Sequence, residues 1–205
     1  IVSTDHNGDI IKHNYDTDNF SVLISEITPT QAKSHSWTAL WRTINDATEA
    51  KVLNLNLTST TEKDLTTDCI TRHAYNYDAH GNRVGYTRTD ADNFVTRQTN
   101  TFRNVTTLDD GYVIGLPVQQ NVSRIPYGAS AITETTYISY IGTQPKTITY
   151  RNNSALISTH LYGYNDNGLL VADTLINGSS TKRHVQRYAR DSQGRIINST
   201  DPTGL

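Results

Sequence analysis

The sequence predicts an all-β fold of repeated antiparallel β-hairpins joined into a large curved sheet. Three observations carry that expectation. Segments such as "YNYDAHGNRV" (75–84) recur along the chain. The residues flanking them alternate apolar and polar, with the period of two that marks a strand. The composition is rich in Thr, which favours strands, and in Asn and Ser, which favour turns. A hydrophobic fraction of 35% is low for an enzyme core, yet too high to force disorder.

At 205 residues the chain accommodates one large domain or two small ones. The expected division is a divergent β-rich segment over 1–74 and a sheet of repeats over 75–205. The opening "STDHNGDII" (3–11) sets Asp5, Gly8 and Ile11 at the spacing of a turn followed by a strand. In "SWTALWRTINDATEAKV" (36–52), Trp37, Leu40, Trp41, Ile44 and Ala47 fall at helical spacing, with Ser36 placed as a cap. That spacing predicts a short helix near 36–50. Thr38, Thr43 and Thr48 favour an irregular aromatic-bearing insertion instead, and both readings stay open. "VLNLNLTST" (52–60) then alternates Leu53, Leu55 and Leu57 as a strand does.

The repeat proper has three clear copies: "YNYDAHGNRV" (75–84), "YGYNDNGLLV" (162–171) and "YARDSQGRII" (188–197). Each places a tyrosine six positions before a glycine and Asp or Asn three before it. Each also has an apolar residue three after it: Val84, Val171 and Ile197. Tyr77 and Tyr164 stand four before the glycine, where the third copy has Arg190. "TLDDGYVI" (107–114) keeps Gly111 and Ile114 but shifts the acid to Asp109 and Asp110. Asp or Asn bonds the following backbone to open a turn, and glycine supplies the positive φ that closes it. Gly8, Gly81, Gly168 and Gly194 are therefore expected in or beside turns. "FVTRQTNTF" (94–102), "AITETTYISYI" (131–141) and "PKTITY" (145–150) read as strands between them. A lone hairpin is marginal in water, so neighbouring units must pair.

A formal charge of -2 gives no electrostatic case for nucleic acid or anionic membranes as partners. No apolar run approaches the roughly 18 residues of a membrane-spanning helix, so no membrane insertion is expected. Cys69 is the single cysteine, which rules out an intrachain disulfide and any cysteine cluster for a metal. Its spacing to His73 matches a nucleophile–base pair only on a helix. His6, His13, His35, His80, His160 and His184 form no short metal motif. "YDTDN" (15–19) and "TDADN" (89–93) alternate acids without completing a calcium loop. Sequons at Asn56, Asn121 and Asn177 follow from the Asn and Thr content. Tyr75, Tyr77, Asp78, Tyr162, Tyr164, Asn165, Tyr188 and Asp191 recur along a scaffold, whereas catalysis needs one placed site. They are assigned to cross-strand packing and turn hydrogen bonds. The expected catalytic, cofactor-binding and metal residues are accordingly none, and no cofactor is expected.

In "YNYDAHGNRVGYTRT", "YGYNDNGLLVADT" and "YARDSQGRIINSTDPTG" the chain resembles the RHS/YD-repeat family. Its members include bacterial Rhs polymorphic toxins, the shell proteins of toxin complexes, and teneurins. The resemblance implies a YD-repeat sheet wrapped into a shell. It also implies a secreted or cell-surface location, with the rest of the shell and an enclosed effector domain as partners. The function so implied is a structural, non-enzymatic segment of a large bacterial toxin-like protein. The alternative is a surface recognition or adhesion module binding a glycan or protein receptor, to which Trp37 and Trp41 point. The terminal "DPTGL" (201–205) matches the family's self-cleavage motif at Asp201, Pro202, Gly204 and Leu205. Because "STDPTG" parallels "STDHNG", it reads instead as one more turn, and no second carboxylate is placed beside Asp201. With no methionine, the chain reads as the interior of a longer protein or a processed piece.

Overall fold

A computed structural model describes residues 1–4, 9–17, 21–43, 51–105 and 113–201. Among these the fold is all-β, with fifteen strands in chain order, each pairing with its sequence neighbours. Every register determined is antiparallel. The chain divides into two compact units, one of residues 1–99 and 124–131 and the other of 100–123 and 132–205.

The first unit holds β1 (Val2–Thr4), β2 (Ile10–Asp16), β3 (Val22–Ile27), β4 (Gln31–Thr43), β5 (Lys51–Asp64), β6 (Ile70–Tyr77), β7 (Arg83–Thr89) and the start of β8 (Val95–Val105). Directly opposed residues share a face, so the registers build side-chain rows across the strands. One row runs His13, Glu26, Lys33, Glu62, Thr71. Glu26, Lys33 and Glu62 alternate in charge along it, and Lys33 Nζ lies 3.7 Å from the Glu62 carboxylate. The next row on that face runs His35, Thr60, His73, Arg88. His35 Nδ1 and Thr60 Oγ1 are 3.0 Å apart.

The helix predicted near 36–50 is not formed over Ser36–Thr43, which belongs to β4. β4 pairs with β5 from Gln31↔Asp64 to Thr43↔Lys51. The β-branched threonines suit that pleat, and the long ladder satisfies backbone groups that a short helix would leave open at both ends. Residues 44–50, and with them Ile44, Ala47 and Thr48, lie outside the described residues.

The second unit takes the rest of β8, most of β9 (Val113–Ile125), and β10 (Ile132–Ile141), β11 (Gln144–Asn152), β12 (Ala155–Tyr164), β13 (Leu170–Asn177), β14 (Arg183–Arg190) and β15 (Ile196–Thr200). Ile138, Ile148, His160, Leu175 and His184 form one cross-strand row. Neighbouring strands alternate in direction. Within a unit, turns after even-numbered strands therefore share one rim, and turns after odd-numbered strands share the other.

Among the described residues no hydrophobic side chain is buried, and Thr60 at 5% is the one buried polar residue. Ile141 at 56% and Ile157 at 52% illustrate how open the strands are. Among the described residues, cohesion comes from the ladders and from cross-strand pairs on half-covered faces.

Candidate functional site

The recurring turns are built to one plan. Asp78 Oδ1 accepts the N–H of His80 (2.8 Å) and of Asn82 (2.9 Å). Asn165 Oδ1 accepts those of Asn167 (3.1 Å) and Leu169 (2.9 Å). Asp191 Oδ1 accepts those of Gln193 (3.0 Å) and Arg195 (2.9 Å). The N–H of Gly81, Gly168 and Gly194 returns to the carbonyl of Asp78, Asn165 and Asp191 at 3.0, 2.8 and 3.0 Å. All three glycines have positive φ, at 81°, 74° and 83°. Gly8 lies outside the described residues.

A further turn of this kind follows β7, where the sequence shows no glycine. The Asp90 N–H donates to Phe94 O and the Asn93 N–H to Asp90 O, both at 3.0 Å, and Asn93 takes φ 59°. Asn is the residue that best tolerates this conformation after glycine. "TDADN" is thus a turn, and the Asp90 carboxylate meets Arg88 Nε at 2.7 Å.

Seven register shifts share one form. They fall immediately before Tyr15, Trp37, Tyr77, Tyr140, Arg151, Tyr164 and Arg190. In each, the extra residue sits on the following strand: Ile24, Thr58, Val84, Lys146, Ile157, Val171 and Ile197. The apolar position read from the repeat, Val84, Val171 and Ile197, is therefore the bulge itself. A bulge ends regular pairing and re-aims the side chain beside it.

At five of these positions the side chain donates to a backbone carbonyl more than a dozen residues earlier in the chain, whereas Arg151 Nη1 donates to Ser154 O in its own turn (3.0 Å). Tyr77 Oη donates to Leu57 O (3.0 Å), Tyr164 Oη to Pro145 O (2.7 Å), Arg190 Nε to Leu170 O (2.9 Å), and Trp37 Nε1 to Leu23 O (2.9 Å). The last ladder pairs before these bonds are Ser59↔Ala74, Thr147↔Leu161, Ala172↔Arg187 and Ser25↔Ser34. In all four the donor stands three residues beyond the pair on its own strand, and the acceptor two residues before it on the preceding strand. The side chain replaces a ladder bond that the bulge has removed. Tyr140 Oη makes the same kind of bond to Pro117 O, at 2.7 Å.

Trp37 is thereby part of the repeat framework, although no tyrosine–acid–glycine marker accompanies it. Sequence reasoning missed that role because the donor alone, without the turn, carries no periodic signal. Its indole N–H is engaged with backbone. The side chain of Trp41 lies outside the described residues.

The outer tyrosines form face clusters. Tyr75 and Tyr86 oppose one another with ring centroids 5.4 Å apart, and His73 Nδ1 lies 3.0 Å from Tyr86 Oη. His160 stacks on Tyr162 and sits 3.0 Å from Asp173 Oδ1. An Asp–His pair orients an imidazole, but nucleophilic catalysis needs a third member. Among the described residues none is hydrogen-bonded to His160 Nε2. Cys69 is an exposed free thiol just before β6, and His73 bonds elsewhere. No group of three His, Cys, Asp or Glu suited to a metal occurs among the described residues. Asp201 ends the described span, so Pro202, Gly204 and Leu205 lie outside it.

The electrostatics follow the same framework. Partial burial raises the phenols of Tyr77, Tyr86, Tyr140, Tyr162 and Tyr164, favouring the neutral donor. The hydrogen bond from Arg195, then the turn's backbone N–H groups, hold Asp191 below the usual carboxylate range against a desolvation that opposes them.

Residues 164–205 match the family model described as RHS Repeat. That span begins at the donor Tyr164 and holds the turns at 165–169 and 191–195 with the Arg190–Leu170 bond between them. The chain thus carries an RHS-repeat motif on its C-terminal side. Among solved structures it is similar to a chain in a crystal structure of TcdB2-TccC3-Cdc42, at 10% identity and TM-score 0.38. The likeness covers 98% of this chain and 13% of that chain. A search of the curated proteins gives no match.

Proposed function

We propose that the chain is a structural wall segment of a large secreted or surface-exposed bacterial toxin-like protein, helping to enclose an effector domain. The observation that carries this reading is a repeat-built sheet with no buried hydrophobic side chain among the described residues. Repetition spends the chemically capable side chains on backbone: tyrosine, tryptophan and arginine anchors on carbonyls, and turn carboxylates on N–H groups. A wall needs that, and an active site does not. In this reading the chain contributes no catalytic residue, and its partners are the remaining wall and the enclosed polypeptide.

Limited proteolysis of the full-length protein tests it. The enclosed segment is expected to resist protease in the wild type. It becomes cleavable in a Tyr77→Phe/Tyr164→Phe/Arg190→Ala variant, which loses three anchors at once. Equal protease sensitivity of the two proteins sinks the wall reading. Glycan-array binding by the chain, lost on Trp41→Ala, would favour the recognition module.

A further inference from the structure

We propose that a polar groove on one face of β10 and β11 binds a carboxylated saccharide, with Arg151 holding the carboxylate. The groove measures about 760 Å³ and lies wholly within the second unit. That volume falls in the range of small-molecule sites, roughly 300–1,000 Å³. Thr135 and Arg151 are directly opposed, as are Tyr137 and Thr149, so the four share one face. The turn at Asn153 and Ser154 completes the lining. None of the lining residues is acidic, and Arg151 carries the single charge.

Arg151 is a donor that the framework does not spend on the preceding strand. Trp37, Tyr77, Tyr140, Tyr164 and Arg190 each reach back to a carbonyl there. The β10–β11 ladder instead runs through Thr135↔Arg151 to Glu134↔Asn152, leaving no gap for Arg151 to close. Arg151 Nη1 donates to Ser154 O at 3.0 Å, and among the described residues no carboxylate pairs with it. Its remaining N–H groups are available for a carboxylate, which the planar guanidinium matches in shape. The carbonyl that holds it comes from a costly turn. Asn153 and Ser154 take φ 44° and 73°, where glycine is usual. Such conformations persist where the surroundings hold them, and they gather at ligand sites.

A bare anion needs only donors, but this groove also offers acceptors. Thr135 Oγ1 gives its proton to Asn121 Oδ1 at 2.9 Å, so it meets a ligand hydroxyl as an acceptor. Asn153 Oδ1 accepts the Thr133 N–H at 2.8 Å, which leaves the amide NH2 to donate. Tyr137, at 42% exposure, adds an aromatic surface for the C–H face of a ring. A fixed cation, hydroxyl acceptors, an amide donor and an aromatic surface together select a pyranose that bears a carboxylate. The site goes beyond the wall reading, and it uses neither Trp37 nor Trp41.

The full-length protein is titrated calorimetrically with trigalacturonate and, separately, with sialyllactose, which distinguish a uronate source from a sialic-acid one. Binding of at least one acid is expected, with the methyl ester of that saccharide at least about tenfold weaker. Arg151→Ala is expected to lose the same factor, and Tyr137→Ala about threefold, each with a wild-type thermal unfolding curve. Should Arg151→Ala fail to fold, Arg151→Lys takes its place, keeping the charge and losing the planar fork. No binding of either acid, or equal affinity of the ester, overturns the proposal. So does wild-type affinity in the Arg151 variant, displacement by equimolar inorganic phosphate, or loss of binding on Trp41→Ala. Protease protection of an enclosed segment is a separate readout, so this site and the wall reading can fail independently.

Discussion

The phenol of Tyr164 donates a 2.7 Å hydrogen bond to the carbonyl of Pro145, two residues outside the last ladder pair between β11 and β12. It closes the ladder at the point where β11 carries its bulge residue, Lys146, between Pro145 and Thr147. Tyr164→Phe keeps the ring and removes the donor, so it is expected to cost about 1 kcal/mol in chemical denaturation. Tyr77→Phe should cost a similar amount. Tyr127→Phe, at a turn apex with 81% exposure, should cost nothing measurable.

Trp37→Phe separates architecture from recognition. The variant retains an aromatic ring but loses the bond to Leu23 O. We expect a stability loss of about 1 kcal/mol by denaturant titration, with unchanged glycan-array signals. A changed array with unchanged stability would contradict the framework role.

The turn glycines differ in what surrounds them. Gly142 has φ 59° and open space about it, so Gly142→Ala isolates the backbone cost, about 1 kcal/mol. A Cβ on Gly168 would approach Gln144 Nε2, which bonds the Gly168 carbonyl, to 2.8 Å. Gly168→Ala should therefore cost about 1 kcal/mol more than Gly142→Ala, by loss of that bond. In a Gln144→Ala background the difference should vanish, a double-mutant cycle read by thermal unfolding.

Stability should fall at both ends of the pH scale for separate reasons. The phenols of Tyr77 and Tyr164 are raised in the folded state, so their contribution is complete below the unfolded tyrosine value near 10. It is lost as pH rises through the raised folded values, when phenolate ceases to donate. Asp191 is lowered, so its contribution is present above the ordinary value of 3.8 and is lost as pH falls through the lower folded one. Tyr77→Phe/Tyr164→Phe should flatten the alkaline limb of a stability–pH profile, and Asp191→Asn the acid limb.

For the C-terminal stretch, we expect no cut after Leu205 when the chain is extended and incubated within its full-length protein. Intact mass measurement checks this. A new terminus at Leu205 that disappears in Asp201→Asn would assign the motif to self-cleavage.

Much of the framework was legible because it is local. Asp78, Asn165 and Asp191 each bond residues two and four ahead, and Gly81, Gly168 and Gly194 answer a backbone requirement within the same five residues. Interactions that short leave a spacing in the sequence. The strand over Ser36–Thr43 was ambiguous because spacing on one segment does not reveal whether a long partner strand exists. Thirteen paired residues of β5 decided it.

The turns, the period-two strands and the apolar position after the glycines at 81, 168 and 194 can be read from residue order alone. Strand pairing is needed to see that this apolar position is a bulge, and that Tyr77, Tyr164 and Arg190 reach a carbonyl on the preceding strand. Trp37 and Leu23 are 14 residues apart and Tyr77 and Leu57 are 20 apart. Pairing register sets those distances, and the donor's identity does not. Tryptophan, tyrosine and arginine all satisfy one carbonyl, so geometry fixes the position while chemistry leaves the residue free to vary.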